Sequence, residues 1–202
     1  MLTLYFAPQT RAVRIAWLLE ELALPYRLER VEFLPPAKAF FAQRTPTGKL
    51  PTLVDGDVAI CESGAILEYV LERYGEGRLA PAPGSPERAR FLQWVHFAES
   101  TAFAPIGIIV WLARYQGEAE RYAPLLADSR ERAATGFAFL ERELGDGAYL
   151  LGDEFSAADV MMGFTLVAAR AFRALDERHP RVQAYLARLE ARPAYQRAAA
   201  LR

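Results

Sequence analysis

The sequence predicts two folding units in series, an α/β domain followed by an all-helical one. Three observations carry this. Strand-like runs (Leu2–Phe6, Tyr26–Phe33, Thr52–Val54 and Val58–Cys61) are confined to the first third of the chain. Helix breakers then cluster: Pro81, Pro83, Gly84, Ser85 and Pro86 fall within Arg78–Pro86, which reads as an interdomain linker. Beyond it only helical periodicities occur. The predicted divisions are residues 1–77, a linker at 78–86, and residues 87–202.

Leu2–Phe6 alternates Leu2, Leu4 and Phe6 against Thr3 and Tyr5, the period of a strand with one buried face. Ala7-Pro8-Gln9-Thr10 makes a turn. A helix is predicted over Arg11–Leu22, with Ile15, Leu18, Leu19 and Leu22 as its apolar stripe and Pro25 ending it. Tyr26–Phe33 is a second strand whose apolar phase slips between Leu28 and Val31, as at a bulge or frayed end. Pro35-Pro36 breaks it, and Ala37–Gln43 is a short predicted helix. Asp55-Gly56-Asp57 joins the last two strands in a hairpin. Leu67, Val70, Leu71 and Tyr74 then mark a helix that stops at Gly75. Strand–helix–strand followed by hairpin and helix is the order of a thioredoxin-like α/β domain.

In the second part, Glu87–Tyr115 is a long helical pattern with a kink or break expected at Pro105 and Gly107. Glu118–Leu144 is another, or a pair split near Pro124. Ser156 and Asp159 have the spacing of an N-cap and its N3 partner, with Phe155 and Val160 placed as a hydrophobic staple. Arg178–Ala191 and Ala194–Leu201 complete the predicted helices.

Composition narrows the function classes. Of 202 residues, 52% are hydrophobic and the net charge is −1, which gives a real core and no electrostatic case for nucleic acid or an anionic membrane. The single cysteine, Cys61, excludes an internal disulfide framework and fits a reducing compartment. No signal-peptide pattern follows Met1, and no uninterrupted apolar run approaches membrane-spanning length. The expectation is a cytoplasmic protein. His96 and His179 lack ligand-spaced partners, so no metal site is expected. The arginines from Arg170 to Arg202 read as solvated helix faces.

The most informative run is Gly48–Gly75. Its second strand enters Glu62-Ser63 at the start of a helix. An acid and a hydroxyl beside free backbone N–H groups can hold an amino-acid head group, the acid to ammonium and the N–H and hydroxyl to carboxylate. They can equally be plain helix caps. Pro51 opens the first hairpin strand, where proline gives up no ladder donor. A cis Leu50–Pro51 bond would turn the backbone N–H and C=O of Leu50 toward a ligand lying antiparallel to it.

Lys49-Leu50-Pro51-Thr52-Leu53, followed by Glu62-Ser63, resembles the glutathione-binding motif of the cytosolic glutathione transferase family. The resemblance extends to Pro8-Gln9-Thr10-Arg11, where bacterial members often carry Pro-Gly-Ser-Arg or Asn-Asn-Ser-Arg, and to Trp17-Leu18-Leu19-Glu20-Glu21-Leu22. It implies a glutathione transferase fold, with a thioredoxin-like α/β N-terminal domain and an all-α C-terminal domain. It also implies a cis Pro51, Leu50 backbone pairing with the cysteinyl unit, and Glu62 and Ser63 on the γ-glutamyl end. Lys49 is placed for the glycine carboxylate, and Lys38 is a lesser candidate for the same task.

The implied chemistry needs a glutathione thiolate, and a thiol of pKa about 8.5 is only a few per cent ionised at neutral pH. Lowering that pKa by about two units takes roughly 2.7 kcal/mol. One hydroxyl donor with a helix N-terminus supplies about that much. Thr10 stands where the family's serine falls, and is either the thiolate donor or only a helix cap. Tyr5 is the rival donor, at the position of the tyrosine-type classes, and Gln9 could orient the thiol. No cysteine occupies the turn, which argues against mixed-disulfide chemistry. Cys61 reads as a small core residue.

The helix carrying Phe97, Ser100, Phe103, Gly107 and Trp111 is implied to line a hydrophobic-substrate site, with core packing as the alternative. The family also implies a homodimer, with Glu68, Glu72, Arg73, Arg88 and Arg90 offering complementary charges. The function implied is a detoxifying glutathione S-transferase acting on a small hydrophobic electrophile. Glutathione-dependent thiol–disulfide exchange and a non-catalytic interaction module are the alternatives.

Overall fold

The computed structural model describes residues 1–32, 45, 47–116 and 120–201. They form two compact units, Met1–Ala80 with Ala191–Arg202, and Pro81–Glu190.

The first unit is built on a four-stranded sheet of β1 (Leu2–Phe6), β2 (Tyr26–Arg30), β3 (Thr52–Asp55) and β4 (Val58–Cys61), in the order β2-β1-β3-β4. The β1–β2 pair is parallel, and β1–β3 and β3–β4 are antiparallel. As the alternation predicts, Leu2, Leu4 and Phe6 are buried while Thr3 and Tyr5 are half-buried. The hairpin closes on Asp55 and Val58, and Gly56 takes the positive φ (60°) that its two-residue loop requires. The predicted strand tip at Phe33, the Pro35-Pro36 break, the Ala37–Gln43 helix and Lys38 lie outside the described residues.

Helix α1 (Ala12–Glu21) buries Ile15, Ala16, Trp17, Leu18 and Leu19. It ends with Ala23 at φ 53° and a bond from the Leu24 N–H to the Leu19 carbonyl (3.0 Å), a left-handed C-cap that Pro25 then seals. Helix α2 (Ser63–Tyr74) buries Ile66, Leu67, Val70 and Leu71. Asp55 fastens it to β3, accepting hydrogen bonds from the hydroxyls of Tyr74 and Tyr69, the latter at 2.8 Å. Those two bonds, the Tyr74 one first, hold the Asp55 carboxyl below its usual range.

In the second unit, Ser85 caps α3 (Pro86–His96), accepting from the Arg88 N–H at 3.3 Å. The helix runs on through a π turn at Phe97–Ala102 into α4 (Phe103–Trp111). The predicted disturbance is this widened turn. Pro105 has no N–H for the Thr101 carbonyl and would crowd it in a regular helix, so the irregularity precedes the proline. Pro124 does not split the next helix. It sits in the first turn of α5 (Ala123–Leu144), where a missing N–H costs nothing. The remaining helices are α6 (Ala157–Ala171) and α7 (Pro180–Glu190) here, and α8 (Pro193–Ala200) in the first unit.

At the start of α6, one carboxylate gathers four donors. The Ser156 N–H (2.8 Å) and hydroxyl (2.9 Å) donate to Oδ2 of buried Asp159, and the Leu150 N–H (3.0 Å) and Tyr185 hydroxyl (2.7 Å) donate to Oδ1. Burial pushes the Asp159 carboxyl up against the pull of these donors. One departure concerns membranes. The continuous helix Pro86–Arg114, at 29 residues, is long and apolar enough to cross one, although no uninterrupted apolar run suggested it. With Phe91, Trp94, Val95, Ile106 and Ile109 buried, it is the core helix of its unit.

The periodicity of residues 194–201 suggests one more helix of the C-terminal group. Their helix, α8, packs instead on α1. Arg192 grips Glu21 with two nitrogens (2.6 and 2.8 Å), Arg197 bonds Glu20 (2.6 Å), and Tyr195 meets Trp17 edge-on at 4.9 Å. The Glu20-Glu21 pair is therefore the clasp for α8.

Candidate functional site

Register gathers the candidate residues of the first unit. Tyr5 is opposite Thr52, and Thr52 is opposite Cys61, so three strand ends form one row across the sheet. One step beyond it lie the turn after β1, the Leu50–Pro51 bond before β3, and Glu62-Ser63 after β4. Sequence positions 5–10, 49–51 and 62–63 thus meet at one end of one sheet. Leu50–Pro51 is cis, as the resemblance implies.

The first corner carries Thr10. Its hydroxyl donates to the Ala7 carbonyl (2.7 Å) and accepts from the Ala12 N–H (3.3 Å). Both roles of the oxygen are thereby taken, and the arrangement is that of a helix cap. Gln9, beside it, is exposed with φ 58°. Tyr5 shares a sheet face with Thr52 and is half-buried.

The second corner carries Glu62 and Ser63. Glu62 is exposed and holds φ 70°, ψ 115°, which for a non-glycine residue costs on the order of 1–3 kcal/mol. Strain of this size persists where the surroundings fix it. Ser63 is 3% exposed, and its hydroxyl accepts from Nη1 of fully buried Arg14 at 3.0 Å. Arg14 went unnoticed in the sequence because an arginine between stripe positions reads as a solvated residue. Its only signal is adjacency to Ile15 in a helix that is otherwise apolar on this side.

Lys49 is exposed, and its carbonyl accepts from the Thr52 hydroxyl (3.0 Å), while Leu50 and Pro51 are buried. Cys61 is a free, half-buried thiol at the end of β4.

The residues predicted to line a second-substrate site do not share one environment. Phe97 packs with Trp94 (5.3 Å) and Phe139 (5.2 Å), and Phe103 stacks on Phe164 at 6.0 Å. Ser100 is exposed and donates to the His96 carbonyl (2.8 Å), and Trp111 is 47% exposed. The π turn accounts for the divergence, because it shifts the helical phase between Phe97 and Phe103.

Residues 1–72 match the family model for the N-terminal domain of glutathione S-transferases, and residues 110–188 match the model for the C-terminal domain. Glutathione S-transferase GstB of Escherichia coli (strain K12) is 35% identical over 159 residues, 75% of this chain and 74% of that protein. The glutathione S-transferase-like protein OpS6 of Beauveria bassiana is 31% identical over 198 residues, 93% of this chain and 88% of the other. A glutathione transferase from Methylococcus capsulatus str. Bath superposes with a TM-score of 0.87 at 27% identity, covering 98% of this chain and 97% of that one. A family member from Pseudomonas fluorescens, solved with two glutathione bound, gives 0.88 at 25% identity, covering 98% and 92%. With both halves of the family pattern in order and its strand ends converging on Leu50–Pro51 and Glu62-Ser63, the chain belongs to the glutathione S-transferase family.

Proposed function

We propose that the protein binds glutathione at this sheet end and activates its thiol for attack on a hydrophobic electrophile. The observation that carries the reading is the second corner: an exposed carboxylate held at positive φ beside a buried hydroxyl, at a helix start. Glu62 takes the γ-glutamyl ammonium, and Ser63 with the first N–H groups of α2 takes its carboxylate. The Leu50 backbone pairs with the cysteinyl unit, Lys49 meets the glycine carboxylate, and Gln9 borders the thiol. Glutathione bound in the Pseudomonas fluorescens relative supports the ligand assignment.

Thr10 is the proposed thiolate donor, with Tyr5 as the alternative. For Thr10 to serve sulfur, its proton must leave the Ala7 carbonyl. A hydrogen bond to an anion is worth about 1.5–3 kcal/mol and a neutral one about 0.5–1.5. The exchange therefore favours the thiolate by roughly 1 kcal/mol, a pKa lowering of about one unit. A second reading, glutathione binding without activation, is favoured by the Thr10–Ala7 bond itself.

On the helical unit, Phe97, Ser100, Phe103 and Trp111 are the proposed contacts for the electrophile, and of these Ser100 and Trp111 are exposed. The homodimer proposal rests on the family. Arg73 lies 3.4 Å from Asp55 and Arg90 3.4 Å from Glu143, so these two expected interface charges already have partners within the chain. The proposed location remains the cytoplasm.

Retention on glutathione resin, then conjugation of a general aromatic electrophile, tests the two halves separately. Retention with turnover is expected. Retention without turnover selects the binding-only reading, and no retention overturns both.

A further inference from the structure

We propose that Arg14 is a positioning residue for glutathione: it fixes the Ser63 hydroxyl as a donor aimed at the γ-glutamyl carboxylate. The inference rests on the glutathione-binding reading above. A serine hydroxyl has one proton and two lone pairs, and its rotor settles according to which neighbours claim them. A guanidinium is donor-only and always charged, so Nη1 at 3.0 Å can engage only a lone pair of Ser63 Oγ. The proton must then point elsewhere, and among the described residues it has no acceptor.

Burial raises the consequence. Ser63 is 3% exposed and Arg14 fully buried, so water does not freely exchange with either group. The charge of Arg14 polarises the hydroxyl and strengthens it as a donor. The proton sits at the first residue of a 12-residue helix, where the N–H groups and the helix dipole already favour an anion. Arg14 belongs to α1, so the hydroxyl is held from outside the helix that carries it. The result is a donor set for carboxylate before any ligand arrives. Arg14 itself need not touch the ligand.

The test compares glutathione with 4-aminobutanoyl-cysteinyl-glycine, which keeps the ammonium, thiol and glycine but lacks the γ-glutamyl α-carboxylate. Calorimetric affinities would be measured for wild type, Arg14→Met, Ser63→Ala and the double variant. Wild type is expected to prefer glutathione by about tenfold or more. Arg14→Met should lose most of that preference by weakening glutathione alone, with the analogue's affinity unchanged. The double variant should bind glutathione no more weakly than Ser63→Ala.

An Arg14→Met protein that weakens both ligands equally would show a merely structural arginine and overturn the proposal. Should that variant fail to fold, Ser63→Ala decides. It removes one oxygen, and retention of the full preference would show that the hydroxyl is not the carboxylate's donor. A wild type that binds neither ligand would remove the glutathione reading itself, an outcome distinct from uniform weakening.

Discussion

Two strand-to-helix corners of the first unit present the same chemical group in opposite states. After β1, the Thr10 hydroxyl gives its proton to Ala7 and its lone pair to Ala12, and so is closed on its own chain. After β4, the Ser63 hydroxyl accepts a hydrogen bond from Arg14 and does not donate its own to any described residue. Residue type and local context are nearly identical. What differs is whether a distant side chain has supplied the donor, which leaves the hydroxyl's own proton without an acceptor among the described residues.

The largest effect should come from a third corner, the extreme closed case. Asp159→Ala leaves the Leu150 N–H, the Ser156 N–H and hydroxyl and the Tyr185 hydroxyl without their acceptor. We expect a loss of about 3–5 kcal/mol in denaturant unfolding, since each buried donor left unsatisfied costs about 1–3 kcal/mol, with no change in glutathione affinity for the molecules that remain folded. A loss below about 1 kcal/mol would mean that closure at these corners contributes little.

Next is the open corner. Glu62→Ala and Ser63→Ala should each weaken glutathione by about 1–3 kcal/mol in calorimetry, because each leaves a ligand charge unpaired. Unchanged affinity in both would erase the functional distinction between the two corners.

The closed corner should respond more weakly. Thr10→Val should cost about 1 kcal/mol of stability through the lost cap. It should also raise the pKa of bound glutathione by about one unit, read from thiolate absorbance against pH. Tyr5→Phe should leave that pKa in place. A pure stability effect in Thr10→Val would select binding without activation, and an effect confined to Tyr5→Phe would transfer the donor role to Tyr5.

The smallest expected effect concerns the strain common to both corners. Gln9 and Glu62 each hold a positive φ. Gln9→Gly should stabilise by a few tenths to about 1 kcal/mol, since glycine removes the Cβ penalty but adds unfolded-state entropy. A destabilised variant would show that the Gln9 side chain contributes more than its backbone conformation costs.

Which parts were legible follows from the range of the forces involved. The Leu2–Phe6 alternation, the Gly56 turn and the Ser156–Asp159 spacing are encoded within a few residues and were readable. The Glu62-Ser63 corner was readable as a motif. The Arg14–Ser63 bond spans 49 positions and the Glu21–Arg192 pair 171, and no local period reports either. The positive φ of Glu62 was hidden for a related reason, since the residue does not favour it and only the surrounding fold imposes it. The π turn was half legible: Pro105 announced a disturbance, but the carbonyl it disturbs lies one turn earlier.

The clasp between α1 and α8 has a consequence for synthesis. On the ribosome, the sheet and the Glu20-Glu21 end of α1 emerge long before Arg192 and Arg197, which follow the whole helical unit. The helical unit, contiguous from Pro81 to Glu190, is available to fold before the unit that begins the chain can be completed. Until α8 arrives, the flank of Trp17 that Tyr195 will cover stays open to solvent and to other nascent chains. A chain that stops after Glu190 would therefore carry a whole helical unit attached to an unfinished first unit.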